Sequence, residues 1–238
     1  METILEVSGV RKNFGGFTAL SDVSLAVAGG ERLGLIGPNG SGKTTLINCI
    51  SGALLNDAGS IRFDGQEVSR KTAHERTRLG IARSFQIPRP FRSMSVLENL
   101  MVPLAYVAGI SGNRARTESM EILSHMGLAA KAQTLSSQLS QVELRKMELA
   151  RAMAARPKLL ISDEAMAGLA GTEVDEVLKI LFELNGQGIT IIMIEHIMQA
   201  VMSFSQRVVC LDAGRIICEG TPETVVGNPE VQRAYLGD

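Results

Sequence analysis

The chain has 238 residues, a formal net charge of −1, 45% hydrophobic and 21% charged residues. That length buries a full core, as one large domain or as a core with an inserted subdomain, and the balance excludes disorder. Near-neutral charge, 4% aromatics and no Trp argue against a nucleic-acid partner.

Residues 4–10 and 20–27 alternate as strands. Between them Phe14-Gly15-Gly16-Phe17 is a turn with two exposed-looking aromatics, and Phe14 either stacks on a base or tucks under the hairpin. Residues 31–36 read as a short buried strand, and a helix opens over 46–55. Between these lies Gly37-Pro38-Asn39-Gly40-Ser41-Gly42-Lys43-Thr44-Thr45, which fits G-x-x-x-x-G-K-[ST]. Strand, glycine-rich turn and helix form the context that motif needs. Glycines let backbone N–H groups converge on an anion, and the helix N-terminus adds a favourable dipole. Lys43 is expected to reach the β- and γ-phosphates, and the Thr44 hydroxyl to complete a Mg²⁺ shell.

Residues 60–63 with Asp64-Gly65 look like a strand and turn, 73–79 like a basic polar helix ending at Gly80, and 81–85 like a strand ending at Gln86. Ile87-Pro88-Arg89-Pro90-Phe91 then breaks regular structure. Helices are expected over 94–105, 114–126 and 141–155, an all-helical insertion at 88–155. Met94, Met101, Met120 and Met126 either line an adaptable docking groove or fill core. Alternation of strand and helix resumes with a strand over 159–162, a helix over 174–184, a strand over 189–194, a hairpin over 208–218 and helices over 222–226 and 229–236.

The start, Met1-Glu2-Thr3-Ile4-Leu5, has no signal-peptide architecture, and the longest apolar runs are too short to span a bilayer. Cys49, Cys210 and Cys218 have no metal spacing and read as buried reduced thiols of a cytosolic protein. Mean hydropathy is slightly positive, which fits either a large α/β core or a surface covered by a partner.

Asp163-Glu164 follows an apolar strand, where α/β sheets place ligands. Asp163 suits Mg²⁺ through water, and Glu164 would be free to polarise the attacking water as a general base. Glu195-His196 follows the next apolar strand, so His196 can donate to a γ-phosphate as charge builds there. Gln86, at the edge of the insertion, can reach Mg²⁺ or the water. His74 and His125 sit in polar helices and carry no role.

In this order the motifs resemble the nucleotide-binding subunits of ABC transporters over the whole chain. The resemblance implies a P-loop NTPase (RecA-like) α/β fold. Its core would be 1–87 and 156–238, with an antiparallel β subdomain near the N-terminus and a helical subdomain at 88–155. It assigns ATP and Mg²⁺ as cofactors, 37–45 as Walker A, 159–163 as Walker B, Glu164 as the catalytic glutamate, Gln86 as the Q-loop residue and His196 as the switch histidine. Phe14 falls at the adenine-stacking position. Leu139, Ser140, Gln141, Val142 and Glu143 stand where the family has LSGGQ, with both glycines and the glutamine replaced. Ala165 and Ala170 stand where Pro and Asp are usual. Val142 brings a β-branched side chain, and Glu143 is expected to add negative charge near a phosphate.

Phe14-Gly15-Gly16, Arg83-Ser84-Phe85-Gln86, Ser95-Val96-Leu97-Glu98-Asn99 and Asn228-Pro229-Glu230 with Arg233-Ala234-Tyr235-Leu236-Gly237 resemble the branched-chain amino acid importer branch (Liv-like). That implies an ATPase driving uptake of branched-chain amino acids or a related small polar or amide substrate. The implied partners are a second ATPase subunit in an asymmetric heterodimer (a homodimer is the alternative), two membrane permeases contacted through residues 88–94 and, indirectly, an extracytoplasmic binding protein. The implied location is peripheral, on the cytoplasmic face of the plasma membrane. A soluble ABC ATPase of translation or repair would need tandem cassettes or coiled-coil inserts, and neither is here. A non-hydrolysing nucleotide-binding regulator has only the altered signature in its favour.

Overall fold

Two hydrophobic faces of one central sheet organise the molecule in a computed structural model that describes residues 2–236. Met1 and Gly237, named above in the start and the closing motif, lie outside the described residues. In chain order the elements are β1 (Thr3–Phe14), β2 (Phe17–Ala28), β3 (Arg32–Ile36), α1 (Lys43–Ser51), β4 (Ala58–Phe63), β5 (Gln66–Glu67), α2 (Ala73–Leu79) and β6 (Ile81–Ser84). The helices α3 (Val96–Tyr106), α4 (Gly112–His125) and α5 (Gln141–Ala154) follow, with 3₁₀ turns at Ala129–Lys131 and Ser136–Gln138. Then come β7 (Leu159–Asp163), α6 (Gly171–Gly186), β8 (Thr190–Ile194), α7 (Met198–Phe204), β9 (Arg207–Asp212), β10 (Arg215–Gly220), α8 (Pro222–Val226) and α9 (Pro229–Leu236).

The larger sheet runs β10-β9-β3-β8-β7-β6. Its inner pairs are parallel, and only β9–β10 is antiparallel. The smaller sheet, β2-β1-β4-β5, is antiparallel throughout. Strand alternation sends Leu159, Ile161, Ile192 and Ile194 to one face of the larger sheet, where they meet Leu5, Leu25 and Ile61 of the smaller sheet and Leu46 and Ile50 of α1. Leu160, Ile191 and Met193 point the other way, into a cluster that continues through Leu181 and Phe204 to Met147, Leu123 and Leu100. On that side of β3 and β9, Ile36, Val208 and Cys210 pack with Val225 and Val231 of the terminal helices. Both sheet faces are therefore dry, and the carboxyl ends of the parallel strands are left to carry polar chemistry.

Three departures from the sequence reading have local causes. β1 continues past Val10 through polar Arg11, Lys12 and Asn13 to Phe14, because Asp57 accepts from Lys12 Nζ at 2.8 Å and from Asn13 N at 2.7 Å and ties the hairpin end down. Helix α1 begins at Lys43 and stops at Ser51, where Gly52 takes φ 79°. Helix α7 has no counterpart in the reading. Its seven residues are too few for a periodic signal, and burial of Ala200, Val201 and Phe204 holds it. The methionines fill core: Met126 is buried and Met101 and Met120 pack on the same cluster, while Met94 is half-buried. Cys49 and Cys210 are buried free thiols, but Cys218 is only half-buried.

Candidate functional site

The first turn of α1 is left open. Helices α3, α5 and α8 each begin with a Ser or Thr whose hydroxyl accepts a first-turn N–H. Helix α1 instead has Gly42 at its N-cap (φ 106°), no side-chain cap and no acidic residue in its first turn. Its orphan N–H groups are therefore available to an anion. Glycine is required at the loop's entry: a Cβ on Gly37 (φ 147°) would lie 2.0 Å from the Leu211 carbonyl oxygen. Nothing comes within 4 Å of a Cβ built on Gly40, so that rim of the cradle is open.

Lys43 is buried, and its ammonium donates to the carbonyls of Gly37 (2.7 Å) and Pro38 (2.9 Å). Burial pulls its pKa below the usual lysine value, opposed by the Glu164 and Asp163 carboxylates and by Cys210. An ammonium already stripped of water and satisfied only by carbonyls is primed for a better-charged partner. Ser41 Oγ is buried and has no partner among the described residues. Thr44 is exposed at the helix start.

A cleft of about 260 Å³ joins these groups to others far apart in sequence. One wall is the glycine-rich loop from Asn39 to Thr45, another is Phe14, Phe17 and Ala19, and the far side is Glu164 and His196. Phe14 is 48% exposed, with the Lys12 ammonium 5.6 Å from its ring centroid, so it stands free beside the loop and is not tucked under the hairpin. Pro38 is half-exposed and adjoins the loop through its carbonyl.

Glu164 follows β7 at φ 48° and is fixed there by its N–H, which donates to the Ile194 carbonyl at 2.9 Å. Its two carboxylate oxygens are both engaged. Gln86 Nε2 donates to Oε2 at 2.5 Å, and His196 Nε2 lies 3.0 Å from Oε1. Gln86 is thus turned onto the Glu164 carboxylate, whose two oxygens each keep a further lone pair for water. The cause is geometric, since β6, β7 and β8 are adjacent parallel strands that end level with each other and deliver the three side chains to one point. Asp163, buried at the end of β7, pairs through one oxygen with Arg83 (2.5 Å), and Arg83 in turn donates to Asn48 Oδ1 of α1 (2.6 Å). The second Asp163 oxygen is not in that pair. Thr44 hydroxyl, Asp163 carboxylate and Gln86 amide are hard oxygen donors of the kind Mg²⁺ takes, so the residues present fit that ion.

The five signature-position residues do not border the cleft. Leu139 is buried and Ser140 caps α5. Glu143 folds back: its Oε2 accepts from Ser140 N at 2.8 Å and its Oε1 pairs with Lys131 at 3.3 Å. The expected negative charge toward a phosphate is therefore turned into the helix's own capping box. Gln141 reaches toward the Ala167 carbonyl (3.5 Å), while Val142 is half-buried.

Sequence reasoning missed three buried or half-buried charges that hold this arrangement. Arg83 was visible only as part of a motif. Arg145 of α5 donates to the carbonyls of Gln86 and Ala167 (3.2 Å), strapping the helical segment to the loops on either side of Glu164. Glu195 is buried, accepts from Met166 N at 2.9 Å, and has its pKa raised to about 7, first by burial and then by Glu164. A carboxylate ending an apolar strand was the signal for Glu195, but only its neighbours reveal that it is dry.

The chain is also similar to known proteins in sequence and fold. Residues 20–167 match the model of the ABC transporter family, and residues 215–238 match that of the branched-chain amino acid ATP-binding cassette transporter. The chain is 37% identical to the high-affinity branched-chain amino acid transport ATP-binding protein BraF of Pseudomonas aeruginosa, over 99% of this chain and 98% of that one. It is 36% identical to LivG of Escherichia coli, a protein of the same description, over 100% and 99%. The ADP conformation of MJ1267, an ATP-binding cassette of an ABC transporter, superposes with a TM-score of 0.90 at 32% identity and full coverage of both chains.

Proposed function

The chain belongs to the ABC transporter family, and from that premise we propose that it is the ATP-hydrolysing subunit of an importer for branched-chain amino acids or a related small polar or amide substrate. The observation that carries this reading is the convergence of the phosphate loop, Phe14, Glu164 and His196 on one cleft. The substrate class is supported by BraF and LivG and by the family model at the C-terminus.

Phe14 stacks on the adenine, and the loop N–H groups and the α1 N-terminus take the β- and γ-phosphates. Lys43 exchanges carbonyls for phosphate oxygens and neutralises charge that grows in the transition state. Mg²⁺, when bound by Thr44, Asp163 and Gln86, supplies further neutralisation of the phosphates. Glu164 releases Gln86, orients a water in line with the γ-phosphate and accepts its proton. His196 turns its Nε2–H from Glu164 to the γ-phosphate.

Residues 139–143 do not border their own cleft, which is consistent with the family arrangement in which the signature of a second ATPase subunit completes the site. With Gln141, Val142 and Glu143 in place of glycines and glutamine, the site served by this chain's signature is the weaker of an asymmetric pair. Among the described residues no helix is long and apolar enough to cross a membrane. Attachment at the cytoplasmic face therefore falls to permease subunits, which dock at residues 88–94 and the exposed Phe85, Ile87 and Tyr106 around them. The test is ATPase activity of the purified chain with MgATP, alone and with its membrane subunits in lipid. Stimulation by those subunits is expected, and activity unchanged by them overturns the transporter reading.

A further inference from the structure

The closing stretch from Asn228 onward has no part in the chemistry above, yet it reaches the phosphate loop. The N–H of Gly37, the first residue of that loop, donates to the Tyr235 hydroxyl at 2.8 Å. The start of the stretch sets up that contact. Asn228 Oδ1 accepts from the N–H groups of Glu230 (2.8 Å) and Val231 (3.4 Å), which starts α9, and Pro229 takes the first helical position, where no N–H is needed. Asn228 Nδ2 also donates to Cys218 Sγ at 3.3 Å, fixing the helix start to β10. Val231 is buried in the same cluster as Ile36, the residue immediately before Gly37. Tyr235 lies four residues later, on the same helix face as Val231, and so stands over the next residue of the chain.

We infer that Tyr235 is a positioning residue for nucleotide binding, with α9 acting as a brace that holds the entry peptide of the phosphate loop in its binding conformation. Gly37 is gripped through both of its flanking peptide groups, its N–H by Tyr235 and its C=O by Lys43. The inference rests on nucleotide binding at this loop, as proposed above. When Lys43 turns to phosphate, the carbonyl grip is lost and the tyrosine remains. Burial raises the phenol pKa, so at neutral pH the hydroxyl is protonated, and it still has a lone pair for the amide. Its loss frees the loop in the unloaded protein and is felt equally by bound nucleotide and transition state, which is a KM effect with kcat unchanged.

The experiment compares the full chain with Tyr235→Phe, which keeps the ring and removes only the oxygen. Titration with MgADP is expected to show affinity reduced by about three- to tenfold, the range for one lost net hydrogen bond. The ATPase KM should rise equally with kcat unaltered, and hydrogen exchange of the peptide containing Gly37 should accelerate. Asn228→Ala, which loosens α9 while keeping the phenol, is expected to shift affinity in the same direction. Affinity within error of wild type for Tyr235→Phe overturns the inference. So does a fall in melting temperature with affinity of the folded protein unchanged, which is the mark of a purely structural contact. Failure of the wild-type chain itself to bind MgADP would instead overturn the nucleotide-site reading.

Discussion

Glu164 holds φ 48°, a left-handed conformation that costs a non-glycine residue roughly 1–2 kcal/mol. The strain is held by the Ile194 carbonyl and by pairing with Gln86 and His196, and it aims the carboxylate into the cleft. Glu164→Gln is expected to lower kcat by about 10²–10⁴, the span of general-base catalysis, with MgADP affinity retained in a binding titration. Lys43→Ala should instead weaken MgADP binding by at least about tenfold, because a charge-assisted contact is worth more than a neutral one. Glu195 makes a different prediction. Its native pKa, raised to about 7, exceeds the ordinary carboxylate value near 4.3, so between those pH values the folded state binds more protons than the unfolded state. Stability contributed by the protonated form is complete below the lower value and is lost as pH rises through the upper one. The melting temperature of wild type should therefore fall between pH 5 and pH 8 by more than that of Glu195→Gln, measured by differential scanning calorimetry.

At the scale of elements, the helix starts differ in how they are closed. Some are closed by side chains, as in α2, where Thr72 and Glu75 form a capping box, and in α5, while α4 and α7 have no side-chain cap. The start of α1 is also uncapped, and it alone of these follows the glycine-rich loop that lines the cleft. The box on α5 also explains how Glu143 is tolerated: Glu and Gln cap a helix from the third position equally well, so the carboxylate satisfies the Ser140 N–H. Ser140→Ala should cost about 1 kcal/mol of stability by urea unfolding, while Glu143→Gln should be close to neutral. Helix α6 starts with Ala170, which offers no side-chain oxygen, and only Glu173 closes the box from within. Where sequence reading placed helix ends wrongly, as in starting α6 at Val174 in place of Gly171, this missing cap was the reason.

At the scale of the whole molecule, a groove of about 330 Å³ separates the helical segment from α2 and β6, bordered by Phe85, Phe91, Val102, Pro103 and Tyr106. Phe85 on its border is the residue before Gln86, the hydrogen-bond partner of Glu164. Tyr106 is 77% exposed at its rim. Tyr106→Asp is expected to weaken co-purification with the membrane subunits severalfold and leave the basal ATPase of the isolated chain unchanged. The proposed asymmetric pairing is tested by placing Glu164→Gln here and the equivalent change in the partner separately. Greater loss of transport-coupled hydrolysis from this chain is expected, and equal loss removes the asymmetry.

The candidate site residues were marked in the sequence partly by local order and partly by the family resemblance. A G-x-x-x-x-G-K-[ST] turn between an apolar strand and a helix suits phosphate, and acidic residues ending buried strands fall at the carboxyl edge of a parallel sheet. The α/β class and most strands and helices followed from periodicity. What tertiary structure alone decided was contact between distant residues. Spacing does not show that Gln86, Glu164 and His196 interlock, that Glu195 is dry, that Arg145 straps two loops, or that Tyr235 meets Gly37 across 198 positions. Each depends on strand order and on which face of a helix is buried. Those are set by how the two sheet faces are covered, a property of the whole chain and of no segment within it.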